Sequence, residues 1–195
     1  MKTVFRLGML VLSGLGSHLA QAQTSRDPED ISQGQLLVQQ SNGQALSAPE
    51  ANPLTNQALL QQNGSLNQSS IDQHMLGVGR GNTASITQSG ANNAAAILQS
   101  GAANRTSITQ VGASNVAASE ITGYNTESEI VQRGNGNRVD QRLSVDERRY
   151  SVEQMGNNNN LVQRESGSTA PGYEVTMKGN GIRIIIEQGR ATTMP

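Results

Sequence analysis

Side chains able to do covalent or metal chemistry are scarce in this 195-residue chain, which has no cysteine and two histidines. One of these, His18, lies in an N-terminal apolar run expected to be removed, which leaves His74. A single imidazole builds neither a catalytic triad nor a zinc site. The acidic pairs Asp146/Glu147 and Glu127/Glu129 read as solvated charges on an outer face or in a turn. The glycines are accompanied by neither the lysine of a phosphate-binding loop nor the aspartates of a calcium loop. No catalytic, metal-binding or cofactor-binding residue is therefore assigned, and the chain reads as non-enzymatic. The abundant functional groups are instead primary amides, each able to donate and accept hydrogen bonds at once.

The spacing of those amides is regular. Glycine occurs at Gly79, Gly90, Gly101, Gly112, Gly123 and Gly134, always eleven residues apart, and the frame resumes at Gly156 and Gly167 after Val145. The third residue after the glycine is Asn82, Asn93, Asn104, Asn115, Asn137 or Asn159. The fifth is small or branched (Ala84, Ala95, Thr106, Ala117), the seventh is Ile86, Ile97, Ile108 or Ile130, and the ninth is Gln88, Gln99, Gln110, Gln132 or Gln154. Gly64, Asn67, Ile71 and Gln73 make an earlier copy, and Pro53, Asn56, Leu60 and Gln62 another. Four extra residues sit between Gln73 and Gly79. One more is inserted between Gly167 and Gly172, and Gly179, Ile182, Ile184, Ile186 and Gln188 close a series of twelve copies. A composition this poor in aromatic residues would otherwise argue for disorder, which has no reason to keep count.

The retained positions are two residues apart, which is the alternation of a β-strand rather than the period of a helix. Each copy is expected to be one strand and one turn, with Gly64, Gly79, Gly90, Gly101, Gly112, Gly123, Gly134, Gly156, Gly167 and Gly179 in the turns. One such strand buries too little surface to stand alone, so copies must stack at about 4.8 Å. Two copies per coil give an all-β solenoid of about six 22-residue coils. Stacking places each buried amide over its counterpart, so that Asn56, Gln62, Asn67, Gln73, Asn82, Gln88, Asn93, Gln99, Asn104, Gln110, Asn115, Gln132, Asn137, Gln154 and Gln188 are expected to pair along the axis in amide ladders. The last copy, GNGIRIIIEQ, is the most β-prone. With Ile182, Arg183, Ile184, Ile186 and Arg190 it is the candidate end-joining or anchoring element, whereas ordinary solenoids cap their ends.

Outside the repeats, Lys2 and Arg6 precede the apolar run Leu7 to Leu19 and the small-residue sequence Ala20, Gln21, Ala22. Residues 1–22 thus read as a secretory signal peptide, too short for a membrane span. Residues 23–52 are expected to form a flexible leader outside the stack, residues 53–189 the repeat domain and residues 190–195 a disordered tail. The near-balanced charge implies no nucleic-acid or membrane partner.

The unit QxGxxNxAxIxQ, as in QSGANNAAAILQSG and QSGAANRTSITQVG, closely resembles the curlin repeat of curli, the functional amyloid of bacterial biofilms. The resemblance spans Pro53 to Gln188. It implies a secreted fibre subunit that leaves through the curli outer-membrane export and assembly proteins and polymerises at the cell surface, with itself and a major curli subunit as partners. Uniform copies, together with charge gathered in the C-terminal half, look more like the minor, nucleating subunit than the major one. By similarity the copy holding Arg183 and Arg190 would be the anchor, although Glu174 and Glu187 dilute its charge. A major subunit, or a monomeric repeat adhesin built on the same stack, is the alternative.

Overall fold

The computed structural model describes residues 54–77, 79–167 and 169–189, and, in backbone only, residues 34–40. Thirteen strands occur among them: β1 (Gly34–Gln40), β2 (Asn56–Ser65), β3 (Gln68–Met75), β4 (Thr83–Ala91), β5 (Ala94–Ala102), β6 (Arg105–Ala113), β7 (Val116–Tyr124), β8 (Glu127–Asn135), β9 (Arg138–Ser144), β10 (Arg149–Met155), β11 (Asn160–Ser166), β12 (Glu174–Lys178) and β13 (Arg183–Gly189). They form a β-solenoid of two parallel sheets. The first runs β1-β2-β4-β6-β8-β10-β12 and the second β13-β11-β9-β7-β5-β3, so from β2 onward the chain alternates between sheets at every turn. Register follows the repeat: Ile86 pairs with Ile108, Ile108 with Ile130 and Ile130 with Val152. The expected signal peptide, residues 1–22, and the expected tail, residues 190–195 with Arg190, lie outside the described residues.

Alternation along each strand sets the burial. In β4 and β6 every second residue is buried, and Ile86, Ile108 and Ile130 have no exposed surface. The small fifth-position residues and the branched seventh-position residues of both sheets meet in one core running the length of the stack. The four-residue insertion lies between β3 and β4, where Leu76 is exposed and register resumes at Gln57↔Thr83. The later single insertion falls between β11 and β12, and Val152 still pairs with Val175.

Close stacking explains the turn glycines. At Gly90, φ is +115° and an added Cβ would stand 2.0 Å from the carbonyl oxygen of Gly112 in the next coil. Any side chain there would separate the coils. Two residues after the turn glycines, Gly79 and Gly167 excepted, the backbone is left-handed whatever the residue: Leu66, Asn92, Ala103, Ser114, Asn125 and Asn158 have φ between 51° and 58°. A left-handed non-glycine residue is strained. The neighbouring coil compensates by hydrogen bonding these backbones, as in Asn92 N–H to Ser65 O at 2.9 Å.

One expectation fails. Gly34–Gln40, placed by sequence in a leader outside the stack, pairs in parallel with β2 from Gly34↔Asn56 to Gln40↔Gln62. The reason is visible in QLLVQQ: Leu36, Val38 and Gln40 fall at the register positions of Ala58, Leu60 and Gln62. The segment has the strand half of a repeat without its asparagine or glycine.

Candidate functional site: amide columns and open ends

The glutamines of the first sheet form one unbroken column. Gln62 Nε2 donates to Gln88 Oε1 at 2.6 Å, Gln88 to Gln110 at 2.8 Å, Gln110 to Gln132 at 2.8 Å and Gln132 to Gln154 at 2.9 Å. The second amide hydrogen crosses to the opposite strand: Gln88 donates to Gln68 O, Gln110 to Ala94 O and Gln132 to Val116 O. Each interior member is thereby satisfied while almost wholly buried, which removes the penalty of an unpaired polar group. The column ends where Gln154 reaches the Met177 thioether at 3.3 Å, a weak acceptor with no hydrogen to pass on.

Asparagine does something else. Asn82 Oδ1 accepts the backbone N–H of Asn104 at 3.0 Å, and its Nδ2 donates to the carbonyl of Gly101 at 3.0 Å. The same clasp recurs at Asn67, Asn93, Asn115, Asn137 and Asn159, each accepting from the backbone one coil on. Each donates to a turn glycine, Gly90, Gly112, Gly134, Gly156 and Gly179 in order. Amide-to-amide contact is added only at Asn93 to Asn67 and Asn115 to Asn93, both 3.1 Å. The asparagines thus pin turns of successive coils, while the glutamines form the ladder proper. In the first sheet the asparagine series runs from Asn56 to Asn104 and ends at Thr126, whose hydroxyl donates to Val145 O at 2.8 Å in place of the amide.

In the second sheet the glutamine column shifts. Gln73 donates to Gln99 at 2.8 Å, and Gln99 ends on the Thr106 hydroxyl at 2.8 Å. The next members at that position are Ile121, Leu143 and Glu165, paired through the strand registers. A new column opens two residues earlier: the Ser119 and Ser128 hydroxyls donate to Gln141, Gln141 Nε2 to Gln163 at 3.0 Å, and Gln163 to the Tyr173 hydroxyl at 3.1 Å. Gln141 and Gln163 occupy the seventh position, where an eleven-residue frame expects isoleucine. Read in steps of 22, as the strands pair, Ser119, Gln141 and Gln163 form a visible series.

Two tyrosines explain the move. Tyr150 is buried and packs edge-to-face on Tyr173 with ring centroids 5.3 Å apart. With Ile121, Leu143 and Val145 they make a second core. Glu165 is only 3% exposed, and neither of its oxygens nor the Tyr150 hydroxyl has a hydrogen-bond partner. Burial, with the Glu165 carboxylate beside it, pushes the Tyr150 hydroxyl far above the ordinary phenol range, and burial likewise raises that of Tyr173.

The ends differ from the middle. Ile182, Ile184 and Ile186 are half-buried against the core, while Ile185 is 54% exposed and Arg183 is exposed. Gln188 is exposed and pairs by register with Glu165. The acidic pairs sit on the surface: Glu127 lies 3.6 Å from Arg149, and Asp146 accepts the Tyr124 N–H at 2.8 Å. His74 lies 3.1 Å from Asp72. Among the described residues no group of ligating side chains could hold a metal, and no helix is long and apolar enough to cross a membrane.

Residues 55–90 and 79–112 match the family model of the Curlin associated repeat. No curated protein and no solved structure matches the chain. The matched stretch contains the strands and turns of β2 to β6, so residues 55–112 are similar to the Curlin associated repeat and lie within the parallel β-solenoid.

Proposed function

We propose that this chain is a secreted subunit of curli-type extracellular fibres, serving as the minor subunit that nucleates a major subunit at the cell surface for adhesion and biofilm matrix. The repeat implies self-assembly into extracellular fibres, and repeat and solenoid alike are structural rather than catalytic. The observation that carries the reading is the pair of parallel sheets that end on backbone edges, in phase with the amide columns that hold the coils together. An edge of this kind is a template for another strand. The uniform copies and the charge gathered after Ser119 favour the nucleating role. By the same resemblance the last copy, with Arg183 and Arg190, is the candidate contact with the cell.

Seeding tests the proposal. Trace amounts of the mature chain should shorten the lag of a curli major subunit, and cells lacking it should release unpolymerised major subunit. Loss of the bulk of fibre mass without any seeding effect would identify a major subunit instead. A compact monomer at high concentration, with no reflection near 4.8 Å, would make it an adhesin.

A further inference from the structure

Joining one solenoid to another needs both sheets to continue in phase. At the C-terminal end β12 closes the first sheet and β13 the second. A second copy continues this alternation if its β2 lies on β12 and its β3 on β13. The edge of β2, however, already carries β1 over seven residue pairs. In the second sheet β3 is the last strand among the described residues. The stretch one 22-residue step before β3 is 46–53, which contains Pro49 and Pro53, and proline offers no N–H to a ladder. Among the described residues the first sheet is one strand longer than the second at this end. A second copy whose β12 sits on β1 leaves its β13 a full strand spacing, about 4.8 Å, further from β3 than pairing allows.

We infer that β1 is a displaceable cap, which keeps a second copy of this chain off the N-terminal end of the stack until it is released. The inference rests on end-to-end assembly as proposed above. Tethering favours the cap: residues 41–55 hold β1 near β2 at an effective concentration in the millimolar range, against micromolar free chain. The second copy prevails once both of its edges engage, because it offers two strand pairings against the one that β1 supplies. The cap thus delays assembly without forbidding it.

A reversible lock tests this, since the chain has no cysteine of its own. Gln39 and Gln61 are register partners, so Gln39→Cys with Gln61→Cys should form a disulfide on oxidation; neighbouring strands meet the required separation. The oxidised mature chain should show a fibre lag about tenfold longer than the reduced chain, and deletion of residues 23–40 should shorten the lag below that of the parent. Added to seeds of the deleted chain, the oxidised chain should join through β12 and β13 and then stop growth at that fibre end. Matching amide exchange in β4 to β11 would confirm an intact body. Failure of the disulfide to form, or equal lags for oxidised and reduced chains that both make fibres, overturns the cap and leaves assembly standing. If the deleted chain makes no fibre at all, assembly falls and the cap falls with it.

Discussion

The two sheets are built from the same repeat, yet one keeps its glutamines in a single column from Gln62 to Gln154 while the other abandons the column after Gln99 and reopens it at Gln141. In the first sheet each amide has the same neighbour above and below. In the second, Thr106, Ser119 and Ser128 supply hydroxyls where the series stops and starts, and Tyr150 and Tyr173 fill the vacated volume. What the stack demands is agreement between adjacent coils, not one residue type at one position throughout. A column can move sideways wherever small hydroxyl side chains satisfy its loose ends.

The largest expected effect comes from emptying the volume that drove the shift. Tyr150→Ala should cost about 3–5 kcal/mol, as deletion of a buried ring does, and urea unfolding should show it. The next effect separates the two sheets. Gln110→Leu breaks the middle of the unbroken column and leaves the Gln132 carbonyl without its donor, at about 2–4 kcal/mol. Gln99→Leu acts where the column ends, beneath Ile121, and should cost about half as much. Equal losses by the same measurement would show that the sheets do not differ as described.

The smallest effect at neutral pH is that of Tyr150→Phe, because the hydroxyl has no partner. Its signature lies in alkali. A phenol whose folded-state pKa is raised keeps its full stability contribution below the unfolded value of about 10 and loses it as pH climbs beyond. The parent should therefore weaken above that pH more steeply than the phenylalanine variant. Parallel curves in a pH series of urea midpoints would refute the assigned cause.

Much of this architecture is legible in the eleven-residue count: the strand alternation, the turn glycines from Gly64 to Gly134, and the glutamines of the first sheet. Three features are not. Gln141 and Gln163 look like defects because the count mixes strands of two sheets, whereas contact joins only residues a full coil apart. The left-handed positions at Leu66 and Ala103 leave no mark on residue type, since hydrogen bonds from the adjoining coil impose the conformation. Finally, β1 has Gly34 where the repeat has its asparagine, and retains only the weaker strand pattern of Leu36, Val38 and Gln40. The spacing of the asparagines likewise leaves their partners open: Oδ1 of Asn104 meets the Thr126 backbone and Nδ2 the Gly123 carbonyl, a turn clasp rather than a ladder.

Every glutamine of the first-sheet column points its N–H toward the C-terminal neighbour and its carbonyl back toward the N-terminal one. These side-chain dipoles add along the axis instead of cancelling, whereas each asparagine clasp turns both its carbonyl and its amide toward the C-terminal side. The column therefore turns carbonyl lone pairs to its N-terminal side, while on its C-terminal side the last N–H is taken up by the Met177 thioether. Copies joined end to end as proposed above would present unlike faces at the two extremities of a filament and so give it a direction.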